Sequence, residues 1–273
     1  MNLFRVFILV FLSIIIVSLS AQETRVSKTP EPHLGQEGKD VIWIPTPEAQ
    51  VETMLNIANI TPQDFLIDLG SGDGRTVIAA AKRGVTARGI EYDSALVALS
   101  IKNASKEGVS DKAEFIRGDL FQADLSRATV IALFLLPQIN LKLRPTLLEL
   151  KPGTRIVSNT FHMDEWIPDS TLRAEDCLFW CDAFLWIVPA KVSGRWNTSE
   201  GELNLGQKFQ VISGTLKRRK NAKTISNTKL SGNLITFMFK HEKYSGIVND
   251  NKMEGSVISV EKSRKWYAER NIN

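Results

Sequence analysis

Side chains suited to metal or redox chemistry are scarce: the 273 residues include 2 Cys and 3 His. With no second cysteine pair and no histidine cluster, the ligand sets of a zinc site are missing. Cys177 and Cys181 are read as buried structural thiols. A strand would hold their Cα atoms roughly 13 Å apart, too far for a bridge. Long apolar runs are equally rare. The clearest, Val6 to Val17, is short for a spanning helix, which needs about 20 residues. There is no long low-complexity tract and no internal repeat, which excludes solenoids and arrays.

What is present is an ordinary globular balance, 43% hydrophobic with a net charge of +4. That charge is unevenly spread. Residues 22–189 carry 17 Lys/Arg against 23 Asp/Glu, whereas residues 190–273 carry 16 against 7. A basic segment behind an acidic one predicts two domains, the second suited to an anionic surface. The Lys217–Lys220 run reads first as a solvated hairpin tip, with membrane or nucleic-acid contact as alternatives. At the N-terminus, Arg5 and the amine precede the apolar stretch, and Ser18-Leu19-Ser20-Ala21 follows it. Residues 1–21 therefore read as a signal peptide or as an uncleaved membrane anchor. The expected location is the periplasm or an inner-membrane anchor. Orientation stays open, because Arg25 and Lys28 balance Arg5 and the amine. Residues 22–40, with Pro30, Pro32, Gly35 and Gly38, read as a linker.

From residue 41 to 187 the pattern alternates between short apolar strands and helices. Strands are expected at Phe65–Leu69, Ala87–Tyr92, Glu114–Arg117, Thr129–Phe134 and Arg155–Asn159. Helices are expected near 47–59, with Thr46 as N-cap, and near 75–83, 94–107 and 139–150. This predicts an α/β, Rossmann-like, mostly parallel sheet covered by helices on both faces. Residues 188–273 lose helical periodicity and show five short β-rich runs between turn signals. They are expected to form a small antiparallel β domain, a barrel or curled sheet.

The segment Phe65-Leu66-Ile67-Asp68-Leu69-Gly70-Ser71-Gly72-Asp73-Gly74-Arg75 carries the chemistry. An apolar strand enters three glycines at alternate positions, and a helix follows at once. Bare backbone lets a ligand approach closely, and the helix N-terminus suits a carboxylate. The dinucleotide fingerprint G-x-G-x-x-G is absent, since Arg75 stands at its last position. Glu91, about 20 residues on, ends the second strand, where a carboxylate takes ribose hydroxyls. Asp119 closes the third strand, placed to accept from an adenine amino group with Leu120 against the ring.

These residues resemble the class I S-adenosylmethionine-dependent methyltransferases over about 41–165. Within them the chain is similar to bacterial relatives of the mitochondrial lysine methyltransferases acting on the ATP synthase c-subunit and the adenine nucleotide translocase. The stretches carrying the likeness are Ile44-Pro45-Thr46-Pro47, Asp68 to Arg75, Gly118-Asp119-Leu120 and Leu135-Leu136-Pro137. The resemblance implies that Asp68, Gly70, Gly72, Glu91 and Asp119 hold S-adenosylmethionine, with Ile44–Thr46 closing over it. Thr46, Ser71, Gly74 and Leu120 complete the expected cofactor set. Asn/Asp-Pro-Pro-Tyr/Phe, common in enzymes that methylate amide or adenine nitrogens, is replaced by Leu136-Pro137-Gln138, which disfavours those substrates; nucleic acid is not an expected partner.

Acceptor-side candidates follow the fourth and fifth strands: Pro137, Gln138, Asn140, Asn159, Phe161 and His162. Pro137, Asn159 and His162 are the catalytic candidates. The favoured activity is N-methylation of a protein lysine, on a partner that can lie in a membrane. Membrane association is expected through the N-terminus and the basic C-terminal segment. The alternatives are a small-molecule or lipid acceptor, and a non-enzymatic exported protein that uses the fold as a scaffold for an envelope ligand.

Overall fold

A computed structural model describes residues 32–175, 177–219, 221–260 and 262–271. The expected signal peptide or anchor (1–21) and the first part of the linker lie outside these residues. Among the described residues, no helix is long and apolar enough to cross a membrane.

The five strands expected in the first half are all present: β1 Phe65–Leu69, β2 Thr86–Glu91, β3 Ala113–Arg117, β4 Val130–Leu133 and β5 Arg155–Asn159. They pair in parallel in the order β3-β2-β1-β4-β5. Two antiparallel strands, β6 Ser170–Arg173 and β7 Asp182–Ile187, extend the sheet to seven, with β7 against β5. Strand alternation sorts the side chains. Leu66 joins α1 (Glu48–Ile57) and α2 (Arg75–Lys82) in one core, with Ala104 of α3 (Ser94–Lys106). Ile67 and Leu69 join α4 (Pro137–Leu147) in the core on the other face. Strand order reverses between β1 and β4, so the carboxyl ends of β1, β2 and β4 open onto one crevice, the usual ligand position in such sheets. The sequence boundaries shift by one to three residues, most at α4, expected near 139–150 and found at Pro137–Leu147. Pro47, not Thr46, stands at the N-cap of α1, and its carbonyl accepts from Gln50 and Val51.

The second half forms a nine-stranded antiparallel sheet in the order β11-β10-β9-β8-β16-β15-β14-β13-β12. Its strands are β8 Gly194–Thr198, β9 Gly201–Lys208, β10 Val211–Arg218, β11 Asn221–Thr224, β12 Ser226–Ser231, β13 Leu234–Phe239, β14 Glu242–Asn249, β15 Lys252–Ile258 and β16 Ser263–Arg270. The Thr228 hydroxyl donates to the Ile212 carbonyl at 2.7 Å, and the Ile225 N–H to Gly214 at 3.0 Å, so the sheet nearly closes into a barrel. Trp196, Phe237, Tyr244 and Trp266 fill it. Glu200 and Glu242 are both engaged by Arg218 and Arg264 at the end bearing the 218–221, 239–242 and 258–263 turns. The opposite end packs on the seven-stranded sheet. There Phe209 stacks on Trp166 at 5.9 Å between ring centroids, and the Gln210 side chain donates to the Ile167 carbonyl at 2.6 Å.

The cysteine reading is corrected. Cys177 and Cys181 form a disulfide with Cα atoms 5.6 Å apart. The segment is a turn rather than a strand, and Trp180 within it takes φ 55°. The 13 Å spacing therefore does not apply.

Candidate active site

The cleft is built from the turn after β1. Gly70, Gly72 and Gly74 all have positive φ. At Gly72 the requirement is doubled, since a Cβ there would meet the Trp43 indole at 2.6 Å. Asp73 and Arg75 clamp the turn: Arg75 pairs with Asp73 at 2.6 Å and donates to the Thr46 carbonyl at 2.7 Å. That last bond ties the segment before α1 to the glycine turn.

Three carboxylates from the ends of adjacent strands line one cleft: Asp68, Glu91 and Asp119. The cleft is partly open to solvent and lined by both polar and apolar side chains. Glu91 is oriented by backbone, with one oxygen accepting from Gly72 N–H and the other from Asp93 N–H, each at 2.9 Å. Asp119 accepts from Phe121 N–H at 3.0 Å and pairs with Lys39 at 2.8 Å, and the Lys39 pair together with the Phe121 N–H holds its carboxyl below the usual range. Asp68 is buried, and burial together with Glu91 and Asp73 pushes its carboxyl up to about 7. The Ser71 hydroxyl is buried without a partner.

S-adenosylmethionine fits this donor–acceptor set. Its amino group, two ribose hydroxyls and adenine amine all donate, and the cleft answers with three acceptor carboxylates. Thr46, Asp68, Gly70, Ser71, Gly72, Glu91, Asp119 and Leu120 all line it. Gly74 does not; it stands before α2, where a Cβ would strike Phe115 and Ser100 at 2.7 Å.

The acceptor-side candidates are placed differently. Pro137 is exposed at the first turn of α4. Asn159 is fully buried, its Oδ1 accepting from Gln50 at 3.1 Å and from Thr160 at 2.9 Å. His162 lies against Phe184, with ring centroids 4.1 Å apart. None of the three lines the cleft, whereas Phe134, Leu135 and Ile139 do.

Ile44, Pro45 and Thr46, expected to close over the cofactor, line the cleft, but the roof extends further towards the N-terminus than the sequence indicated. Residues 35–43 fold back as a strap, with Gly35 N–H donating to Trp43 and Trp43 N–H to Gln36, both at 3.0 Å. Gln36 donates to Asp93 at 2.8 Å, Lys39 reaches Asp119, and Lys39 also lies 5.1 Å from the Tyr92 ring centre. Gln36, Lys39, Trp43, Tyr92 and Asp93 all line the cleft.

Comparison with known proteins agrees with this geometry. The sequence model of the family described as "ANTKMT methyltransferase domain" matches residues 68–170. A protein-lysine N-methyltransferase of Saccharolobus islandicus is 42% identical over 139 residues, covering 50% of this chain and 86% of the relative. The human lysine N-methyltransferase of the ATP synthase c-subunit is 37% identical over 128 residues, covering 46% of this chain and about half of that relative, 54%. A crystal structure described as an RNA methyltransferase from Salinibacter ruber, in complex with S-adenosyl-L-homocysteine, is 47% identical with a TM-score of 0.52. The match covers 55% of this chain and 96% of that one. A nucleoside cleft built on β1 to β3, and two relatives matched over most of their length, lead to one conclusion: the chain belongs to the class I S-adenosylmethionine-dependent methyltransferases, in the family of the ANTKMT methyltransferase domain.

Proposed function

We propose that this methyltransferase acts on the side-chain amine of a protein lysine. The observation carrying the reading is the cleft lined by Asp68, Glu91 and Asp119 in a chain that covers 86% of a protein-lysine N-methyltransferase at 42% identity. When bound, the cofactor supplies a methyl group activated by its sulfonium. The chain contributes alignment and exclusion of water. A lysine amine with a free pKa of about 10.4 must lose a proton to attack. The apolar wall of Phe134, Leu135 and Ile139 favours the neutral amine by desolvation. No histidine base is needed, which is consistent with His162 standing outside the cleft.

The compartment and partner are part of the same proposal. A signal-like N-terminus and the Cys177–Cys181 bridge support an oxidising, envelope-side location. The basic composition of residues 190–273 supports contact with an anionic membrane surface. A second reading, RNA methylation, is favoured by the description of the Salinibacter ruber relative. Leu136-Pro137-Gln138 after β4 weighs against adenine nitrogens as its target. The test is incubation of the purified protein with methyl-labelled cofactor and with separated membrane, soluble-protein and RNA fractions. Label recovered as methyl-lysine, strongest in envelope protein, is expected. Label confined to RNA or to extractable small molecules would sink the lysine reading.

A further inference from the structure

We propose that Trp180, fixed by the Cys177–Cys181 disulfide, is an acceptor-positioning residue: with Phe134 and Phe161 it forms an aromatic entrance to the cofactor cleft, and reduction of the disulfide loosens it. This entrance rests on the lysine reading and adds to it a route for the acceptor and a means of regulation.

Phe134 lines the cleft and leads out of it. Its ring stacks on Phe161 with centroids 6.1 Å apart and meets Trp180 edge-on at 5.9 Å. An aromatic wall thus runs unbroken from the cleft to the surface. Two of its members are held from outside the trio. The Phe161 carbonyl accepts from the Ser158 hydroxyl at 2.9 Å and from the Asn140 amide at 3.2 Å. Trp180 belongs to no helix or strand, has φ 55°, and stands between the 72% exposed Phe179 and the buried Cys181. The bridge closes residues 177–181 into a small ring. The Ala174 N–H anchors that ring by donating to the Cys181 carbonyl at 2.8 Å. A non-glycine residue in the left-handed region persists only where its surroundings impose it. The bridge spans this position, from Cys177 on one side to Cys181 on the other.

The chemistry of this wall fits a lysine side chain. Four methylenes pack on ring faces, and an ammonium group is attracted to them before it is deprotonated deeper in. Leu178, 87% exposed, and Phe179 continue the apolar surface outward, where an acceptor polypeptide would cover it. The redox step is a plain exchange. A dithiol reductant delivers two electrons and two protons to the Cys177–Cys181 bond, yielding two thiols and its own cyclic disulfide. The bond broken is the sulfur–sulfur bond, and Trp180 loses its constraint without being altered.

The experiment uses the full-length protein. The acceptor is the most strongly labelled envelope protein of the fractionation experiment, purified. Compared are the parent, the parent after dithiothreitol, Trp180→Ala, Trp180→Phe and the Cys177→Ser/Cys181→Ser double variant. S-adenosylhomocysteine affinity is measured on each as the control for folding. Trp180→Ala, the double variant and the reduced parent are each expected to raise the acceptor KM about tenfold, with kcat and S-adenosylhomocysteine affinity within about twofold. Trp180→Phe should recover most of the loss, and dithiothreitol should have no further effect on the double variant. An acceptor KM within about twofold of the parent for Trp180→Ala, or for the reduced parent, overturns the proposal. A parent that binds S-adenosylhomocysteine yet labels no lysine overturns the lysine reading instead, and this entrance with it.

Discussion

At the scale of single residues, Asp68 has the most unusual environment. Its carboxyl is raised from 3.8 to about 7 by burial and by the neighbouring charges of Glu91 and Asp73. The folded protein therefore holds a proton that the unfolded chain releases between about pH 4 and 7. Stability without cofactor falls as pH rises through that window, and Asp68→Asn should flatten the fall. Thermal melts from about pH 4 to 8 on parent and variant would show it; parallel curves refute it. S-adenosylhomocysteine brings a positively charged amine, which favours the ionised carboxyl. Its affinity should drop about tenfold from pH 8 to pH 6 in the parent and hardly at all in Asp68→Asn. Asp68, Glu91 and Asp119 were legible in the sequence because each lies at the end of a recognisable strand. Phe134 was passed over, because one aromatic after an apolar strand carries no signal of its own.

At the scale of elements, the strap over the cleft was the least legible part. Gly35, Gly38 and the charges between them have the composition of a linker. What orders them are bonds to partners 57 and 80 positions away, Gln36 to Asp93 and Lys39 to Asp119. No local pattern encodes such pairs. Lys39 and Asp119 form a latch across the cleft, so Lys39→Met should speed S-adenosylhomocysteine exchange in both directions, by about two- to fivefold at low salt. In about 1 M salt the difference should vanish, since screening already weakens the pair. Stopped-flow binding checks this, and unchanged rates at low salt would rule the latch out. The barrel was half legible for similar reasons. One of the five expected β-rich runs, Gln207–Lys217, holds the end of β9 and most of β10, joined at Phe209-Gln210. That turn lacks the usual glycine or asparagine, and Phe209 itself takes φ 55°. β11 went unseen because all four of its residues are exposed, leaving no alternation to read.

At the scale of the molecule, the two sheets meet through aromatic packing rather than through a loose linker. Phe209 reaches from the barrel onto Trp166 in the core of the other sheet, and Gly232 lies against Gly153 so closely that a Cβ would sit 3.0 Å from its backbone. Such contact makes unfolding of the two parts cooperative. The parent should melt in one calorimetric transition, and Phe209→Ala should lower the midpoint and resolve two, at a cost of about 2 kcal/mol for a half-buried ring. Two transitions in the parent itself would show that the contact carries little coupling.

The strap has a consequence for biosynthesis. Its anchors on Asp93 and Asp119 leave the ribosome well after the strap does. A nascent chain stopped before β3 therefore has its glycine turn but no latched lid. The ability to retain S-adenosylmethionine is acquired late, as a product of tertiary assembly rather than of the glycine motif alone.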